Sequence, residues 1–290
     1  MGTPSVPPVP SWFPCKNAMP SLTLSQPNAS FKTVYGPVTS WRYGTSLGID
    51  PIGSVSTCSF DCVYCQLGAI EQHIGSRHTF IPTERIRADL AEAAPWEVDV
   101  VTLSGSGEPT MALNLGEILT LIREMTQRPS VVLTNGTLLG DRPVQEALMQ
   151  ADCVSMKLDA VTPDQLRRVN RPVAGVTLES LLEGMQQFRD RFPNRVDIQT
   201  MILKPWTAAE ESAYAEIVRS LHPHEIQLNT PTRPKPLKHE LEARGNHSPE
   251  ERSSYPTRSL KPLSQEALQA MGDRLQQATG IPVRSPHIRP

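Results

Sequence analysis

Between residues 46 and 228, short apolar runs alternate with amphipathic stretches, and this alternation narrows the fold of the 290-residue chain more than any other feature. Residues 46–52, 98–103, 131–134, 153–158, 196–202 and 225–228 read as strands, brief and rich in Val, Ile and Leu. Such runs suit strands buried on both faces. Between them lie helical patterns. Residues 84–94 form one, with Thr83 as its N-cap. Leu115, Ile118, Leu119, Ile122 and Met125 recur at helical spacing, as do Leu178, Leu181, Leu182, Met185 and Phe188. Residues 144–149 and 208–221 supply two more helices, and Leu268, Met271 and Leu275 mark a last one. Six strand-plus-helix steps predict a parallel sheet with helices packed outside it. Periodicity alone admits a doubly wound open sheet or a partial barrel. In both, ligands gather at the carboxyl ends of the strands.

Composition sets the outer bounds. The net charge is -2, so the chain as a whole makes no electrostatic demand for nucleic acid. No run of about 18 apolar residues suggests a membrane span. Residues 1–30 read as a disordered leader, because Pro4, Pro7, Pro8, Pro10, Pro14 and Pro20 interrupt regular structure. The leader lacks a secretory signal pattern, and Val6 stands where an N-myristoylation motif needs Ser or Thr. Five cysteines, mostly clustered, do not form a secreted disulfide framework, which points to a reducing cytoplasm. The expected division is leader 1–30, α/β core 31–231, a Pro- and charge-rich lid or disordered insertion 232–262, and a C-terminal helix and tail 263–290.

The chemistry centres on Cys58, Cys62 and Cys65, three thiols in one loop after the first strand; Cys15 and Cys153 stand alone. Thiolates at this spacing suit zinc or an iron–sulfur cluster. A closed tetrahedral zinc site needs a fourth ligand, for which His73 or His78 is available. A redox dithiol would leave one cysteine unexplained. With three ligands only, one metal position stays open to a small molecule.

Cys58-x3-Cys62-x2-Cys65, with Tyr64 just before the last cysteine, resembles the signature of the radical S-adenosylmethionine (SAM) superfamily. The resemblance implies a partial (β/α)6 TIM-type barrel in which three thiolates hold a 4Fe–4S cluster. It further implies that the amino and carboxylate groups of SAM chelate the fourth iron. An external one-electron reductant would then drive cleavage of SAM to methionine and a 5′-deoxyadenosyl radical that abstracts hydrogen from a substrate. Ser104-Gly105-Ser106-Gly107-Glu108-Pro109 is similar to the family's Gly-Gly-Glu-Pro segment, with a serine inserted between the glycines. Glycines there would let backbone carbonyls approach the ammonium of SAM. Thr134-Asn135 resembles the polar pair that contacts SAM, although an Asn-Gly turn is the plain alternative. Tyr64 becomes a neighbour of the adenine.

Beyond the motifs, Gln199 is expected to reach SAM or to be a core amide. Lys157 and Asp159 end the fourth strand and are candidate catalytic groups, with a salt bridge at a strand end as the alternative. Arg233, with Asn229 and Thr230, follows the sixth strand and offers a fork for phosphate or carboxylate. A narrower likeness covers residues 34–235: the run from Gly36 through Asp50, the cysteine loop and Asn229–Pro234 resemble prokaryotic proteins related to wyosine-tRNA synthase. The substrate classes compatible with the sequence are a tRNA base, a peptide and a small metabolite. The competing expectation is a zinc-stabilised α/β binding protein without radical chemistry.

Overall fold

A computed structural model describes residues 31–244 and 254–286. The predicted leader with Cys15, residues 245–253 within the predicted insertion, and residues 287–290 lie outside them.

Eight strands form one sheet. β1 (Val34–Ser40) runs antiparallel to β2 (Gly44–Ile49). The parallel strands β3 (Val100–Leu103), β4 (Ser130–Thr134), β5 (Cys153–Lys157), β6 (Arg195–Met201) and β7 (Glu225–Asn229) follow. β8 (Val283–Arg284) lies parallel to β7 at the far edge. Neighbours in the sheet are neighbours in the chain. A doubly wound sheet would reverse its order at a switch point; this one does not, and it is the half-barrel of the two alternatives.

Seven helices accompany the sheet among the described residues: α1 (Thr83–Glu92), α2 (Leu115–Thr126), α3 (Arg142–Leu148), α4 (Pro163–Val169), α5 (Leu178–Arg189), α6 (Ala208–Leu221) and α7 (Gln265–Thr279). None is long and apolar enough to cross a membrane. Thr83 is not an N-cap. It is the first helical residue after Pro82, and its hydroxyl donates to Glu117 Oε2 at 2.8 Å, tying α1 to α2. The sequence pattern also missed β1 and α4. β1 carries the breakers Gly36 and Pro37, which an edge strand with a register shift tolerates. α4 is short and polar, so it shows no apolar stripe, though Thr162 caps it and Pro163 opens it.

The strands alternate with period two. Leu47, Ile49, Val101, Leu103, Val154, Met156, Val196, Ile198, Ile226 and Leu228 join the apolar core with the helices. Ser46, Thr102, Ser155 and Gln199 turn the other way and line an internal cavity. The barrel interior is therefore buried yet polar. At the amino ends of the strands the floor is closed by ions: Arg195 Nε donates to Asp197 at 3.0 Å, Arg284 Nε lies 2.9 Å from Glu225, and the Tyr43 hydroxyl bonds Asp197 at 3.0 Å.

Asp89 on α1 anchors the chain entering β1. Its Oδ2 accepts from Thr33 N at 2.8 Å, from Thr33 Oγ1 at 2.9 Å and from Arg85 Nε at 3.3 Å. Burial pulls this carboxyl up, but the Thr33 and Arg85 bonds outweigh it and leave it below the ordinary aspartate value. A depressed carboxyl contributes stability above the unfolded-state value, near 4, and loses it as pH falls through the folded value. Asp89→Asn should therefore cost roughly 1–2 kcal/mol at neutral pH and flatten the acid limb of stability, as measured by urea midpoints across pH.

Candidate functional site

The loop after β2 carries the three thiols and is pinned from several sides. Thr57 N donates to Ser106 O (3.1 Å), Ile74 N to Cys58 O (3.2 Å), Val173 N to Ser59 O (2.9 Å) and Val63 N to Val169 O (2.9 Å). The loop is thus clamped between the turn after β3 and the segment after α4. Residues 232–244 form a strap beside it: Lys235 Nζ donates to Cys62 O at 3.1 Å and Glu240 N to Leu67 O at 2.9 Å. The strap continues after the undescribed stretch, where Thr257–Arg258 pairs with Lys235–Pro236.

Cys58, Cys62 and Cys65 are half-buried and line one cavity of about 590 Å³ at the carboxyl ends of the strands. The same cavity is lined by Tyr64, Gly105, Gly107, Glu108, Thr134, Asn135, Lys157, Gln199 and Arg233, so the structure brings together nearly every residue singled out from sequence. Donors surround two of the sulfurs. Phe60 N reaches Cys58 Sγ at 3.4 Å and Asn135 Nδ2 reaches it at 3.5 Å, while Asn170 Nδ2 reaches Cys62 Sγ at 3.5 Å. Burial raises all three thiols, Cys62 to about 12, with Glu108 adding to the rise at Cys58 and Asp159 at Cys62. Metal binding must therefore displace protons from them.

The turn after β3 is organised by two buried carboxylates. Asp50 Oδ2 accepts from Ser106 N (2.9 Å), Ser106 Oγ (2.6 Å) and Arg244 Nη1 (3.0 Å). Glu108 accepts from Thr110 N, Thr110 Oγ1, Thr134 Oγ1 and Asn135 N at 2.6–3.1 Å. Both Glu108 oxygens are thus engaged by the protein, and Glu108 locks the β3 turn to the β4 turn. Its burial favours the neutral acid and raises it, with those bonds pulling the other way. Thr134 is committed to the same lock, and Asn135 also donates to Ser59 Oγ at 2.9 Å.

Asp159 is buried and does not line the cavity; it binds Met201 N at 2.8 Å, Asn170 Nδ2 at 2.7 Å, the Tyr64 hydroxyl, and Lys157 Nζ at 3.6 Å. Asp159 thus touches both Tyr64 and Lys157, the salt-bridge arrangement expected as the alternative at this strand end. Lys157 does face the cavity, its Nζ 5.1 Å from the centre of the Tyr64 ring. Arg233 is exposed at the rim and donates to Gln66 Oε1 at 3.1 Å. Asn229 and Thr230 line the cavity, but the Thr230 hydroxyl is used by Leu263 N at 2.8 Å. Sequence reasoning missed Asn170, Asp50 and Arg244; each acts across a long chain separation and carries no local pattern.

Polar atoms remain for a ligand. Gln199 Nε2 and Ser155 Oγ are buried, line the cavity and have no protein hydrogen-bond partner. Three soft thiol donors beside unsatisfied polar groups fit a sulfur-ligated cluster with a polar small molecule next to it. The zinc arrangement fits less well. His73 Nε2 sits 3.2 Å from Ser59 O and His78 Nε2 2.9 Å from Ser76 Oγ, and neither lines the cavity. Among the described residues no three His, Cys, Asp or Glu side chains converge as ligands of a single ion do; in a cluster each thiolate binds its own iron.

Comparison with known proteins agrees with this geometry. Residues 53–217, more than half of the chain, match the Radical SAM superfamily. The chain belongs to the radical SAM superfamily. Membership implies SAM cleavage with an iron–sulfur cluster. A UPF0026 protein of Synechocystis is 53% identical over 262 residues, 90% of this chain and 99% of that protein. A UPF0026 protein of Methanocaldococcus jannaschii is 35% identical over 206 residues, 69% of this chain and 64% of that protein. Among solved structures, Streptococcus suis SuiB bound to its precursor peptide SuiA aligns with a TM-score of 0.58 at 13% identity. The alignment covers 82% of this radical SAM chain and 48% of SuiB, a likeness of fold alone.

Proposed function

We propose that Cys58, Cys62 and Cys65 ligate a 4Fe–4S cluster and leave its fourth iron to the amino and carboxylate groups of SAM. The observation that carries this reading is that all three thiols line one cavity at the barrel mouth. When bound, the cluster and SAM supply a 5′-deoxyadenosyl radical that takes hydrogen from the substrate.

The chain's own residues set the conditions. N–H groups of Phe60, Asn135 and Asn170 direct positive charge at Cys58 and Cys62, which favours the thiolates and raises the reduction potential of what they hold. Gly105 and Gly107 keep the β3 turn close against the cavity, and Thr134, Asn135 and Glu108 fix the neighbouring turn. Gln199 Nε2 is an unsatisfied donor for an acceptor on SAM. Asp159 holds Tyr64, whose ring forms part of the wall where the adenine would lie. Lys157, held by the same carboxylate, presents its charge to the cavity. The strap of residues 232–244 and 254–262 serves as a lid over the thiol loop.

The reaction class and substrate follow less directly. The peptide bound by SuiB supports a peptide, and the likeness of Asn229–Pro234 to wyosine-tRNA synthases supports a tRNA base; a small metabolite fits the cavity equally. Purified without oxygen, reconstituted with iron and sulfide and given SAM and dithionite, the protein should show cluster absorbance and release 5′-deoxyadenosine. Absence of both would sink the proposal, and one tightly held zinc with no SAM affinity would replace it with the binding-protein alternative. Gln199→Leu should weaken SAM about 10-fold, the loss of one buried hydrogen bond, while cluster absorbance persists.

A further inference from the structure

The cavity has a charge imbalance that the SAM reading does not use. Arg42, Lys157, Arg233 and Arg244 line it, against a single carboxylate, Glu108, whose oxygens are already engaged by four donors. Lys157 and Arg244 have their own carboxylates, Asp159 at 3.6 Å and Asp50 at 3.0 Å, and Arg233 has partners of its own, Gln66 Oε1 at 3.1 Å among them. Arg42 has no carboxylate of its own among the described residues, and its buried Nε makes no hydrogen bond.

Arg42 sits in the turn between β1 and β2, at one edge of the open sheet; Arg284 lies on β8, at the other edge. The two edges meet here, since Arg284 Nη2 donates to Arg42 O at 2.7 Å. Trp41 braces the junction, with the Arg42 guanidinium 4.6 Å and the Arg284 guanidinium 5.8 Å from its ring centre. Arg233 approaches from the opposite end of the barrel, following β7. Burial pushes Arg42 down to about 10; Tyr43 opposes the fall, and the charges of Arg233 and Arg284 add to it. Arg42 still carries its charge at neutral pH. Holding a guanidinium inside a cavity with no carboxylate beside it is costly unless an anion visits.

We propose that Arg42 and Arg233 form an oxyanion subsite that holds a phosphate or carboxylate group of the substrate, at the seam where the two edges of the barrel meet. The assignment rests on the radical SAM reading of the cavity and narrows its substrate to an anionic one. A planar guanidinium stacked on an indole is pre-organised for bidentate recognition of such a group.

The test is calorimetric titration of the full-length chain with inorganic pyrophosphate and with succinate, on reconstituted and iron-free protein, in the absence and presence of SAM. Wild type should bind at least one probe, with affinity falling as salt rises. Arg42→Gln and Arg233→Gln should each weaken it about 10-fold or more, whereas Arg87→Gln on the exposed face of α1 should not. Preference for pyrophosphate supports a phosphate-bearing substrate, and preference for succinate a carboxylate. Circular dichroism checks each variant; should Arg42→Gln fail to fold, exposed Arg233 decides. The proposal is overturned if folded wild type binds neither probe up to about 10 mM, an interaction weaker than ~3 kcal/mol, or if a folded variant matches wild type. It is overturned equally if SAM displaces the probe, which would assign the arginines to the carboxylate of SAM itself. Failure of the radical SAM reading looks different: no cluster and no 5′-deoxyadenosine from wild type, with anion binding by the iron-free chain intact.

Discussion

Cys62→Ala is expected to abolish cluster binding and SAM cleavage while leaving the barrel folded. The two halves of this expectation come from different atoms of one residue. Its sulfur faces the cavity and receives the Asn170 amide at 3.5 Å. Its carbonyl makes the structural bonds, accepting from Cys65 N at 3.0 Å and from Lys235 Nζ at 3.1 Å, and alanine keeps that carbonyl. Removing outer partners of a metal site typically costs ~10–100-fold, and a ligand more, so 5′-deoxyadenosine formation should fall by ~1000-fold or beyond. The thermal midpoint of the iron-free protein should move by no more than the few degrees that ~1 kcal/mol corresponds to. Cys153→Ala supplies the contrast. That thiol lies on the floor, 3.6 Å from Asp197, and burial raises it; it does not line the cavity that the three thiols share. Its loss should leave iron content and cleavage as they were. A Cys62→Ala protein with full cluster absorbance, or a Cys153→Ala protein without it, would overturn the assignment of ligands.

The parts of this molecule that were legible in advance share a property: each is encoded within about 15 consecutive residues. β5 and β6 appear as apolar runs because Val154, Met156, Val196 and Ile198 must meet helices. The thiols announce themselves by spacing. What stayed hidden depends on residues far apart in the chain. Strand order is one example, since the alternation of strands and helices is the same for a half-barrel and a doubly wound sheet. The polar interior is another. Ser155 and Gln199 alternate with those same apolar residues, but the high burial of both faces obscured the period of two. Asp159 stands at the end of a strand, where ligands gather in folds of this kind. The backbone N–H of Met201 and the amide of Asn170 claim it instead, and Asn170 sits at the end of a helix too polar to be anticipated. Arg42 carries no local signal, because its surroundings are set only when the opposite edge of the sheet closes on it through Arg284.

Gly107→Ala should do more damage than its single methyl group suggests. A Cβ at this position would lie 1.7 Å from Thr57 O and 2.7 Å from Thr57 C, so it meets backbone that cannot swing aside. Thr57 is the residue before Cys58, and its two backbone bonds, from Thr57 N to Ser106 O and from Glu108 N to Thr57 O, both at 3.1 Å, straddle the point of contact. Relief of the overlap requires parting the β3 turn from the thiol loop, breaking that pair of bonds and displacing Cys58. The glycine therefore permits the close approach of two protein segments. Its neighbours fit the same account. Gly105 takes φ +125° with Asp50 Cγ 2.4 Å from where a Cβ would stand, and Ser106 uses both its N–H and its hydroxyl on Asp50. We expect Gly107→Ala to destabilise the iron-free protein by about 3 kcal/mol or more, the range of severe overpacking, and to leave it unable to retain stoichiometric iron. Gly175→Ala is the measure of backbone strain alone. Gly175 has φ +90° with nothing within 4 Å of a Cβ, and its substitution should cost only about 1 kcal/mol with iron binding unaffected. Melting curves and iron analysis on the pair separate the two causes: equal losses would mean that the contact with Thr57 is not what the glycine protects.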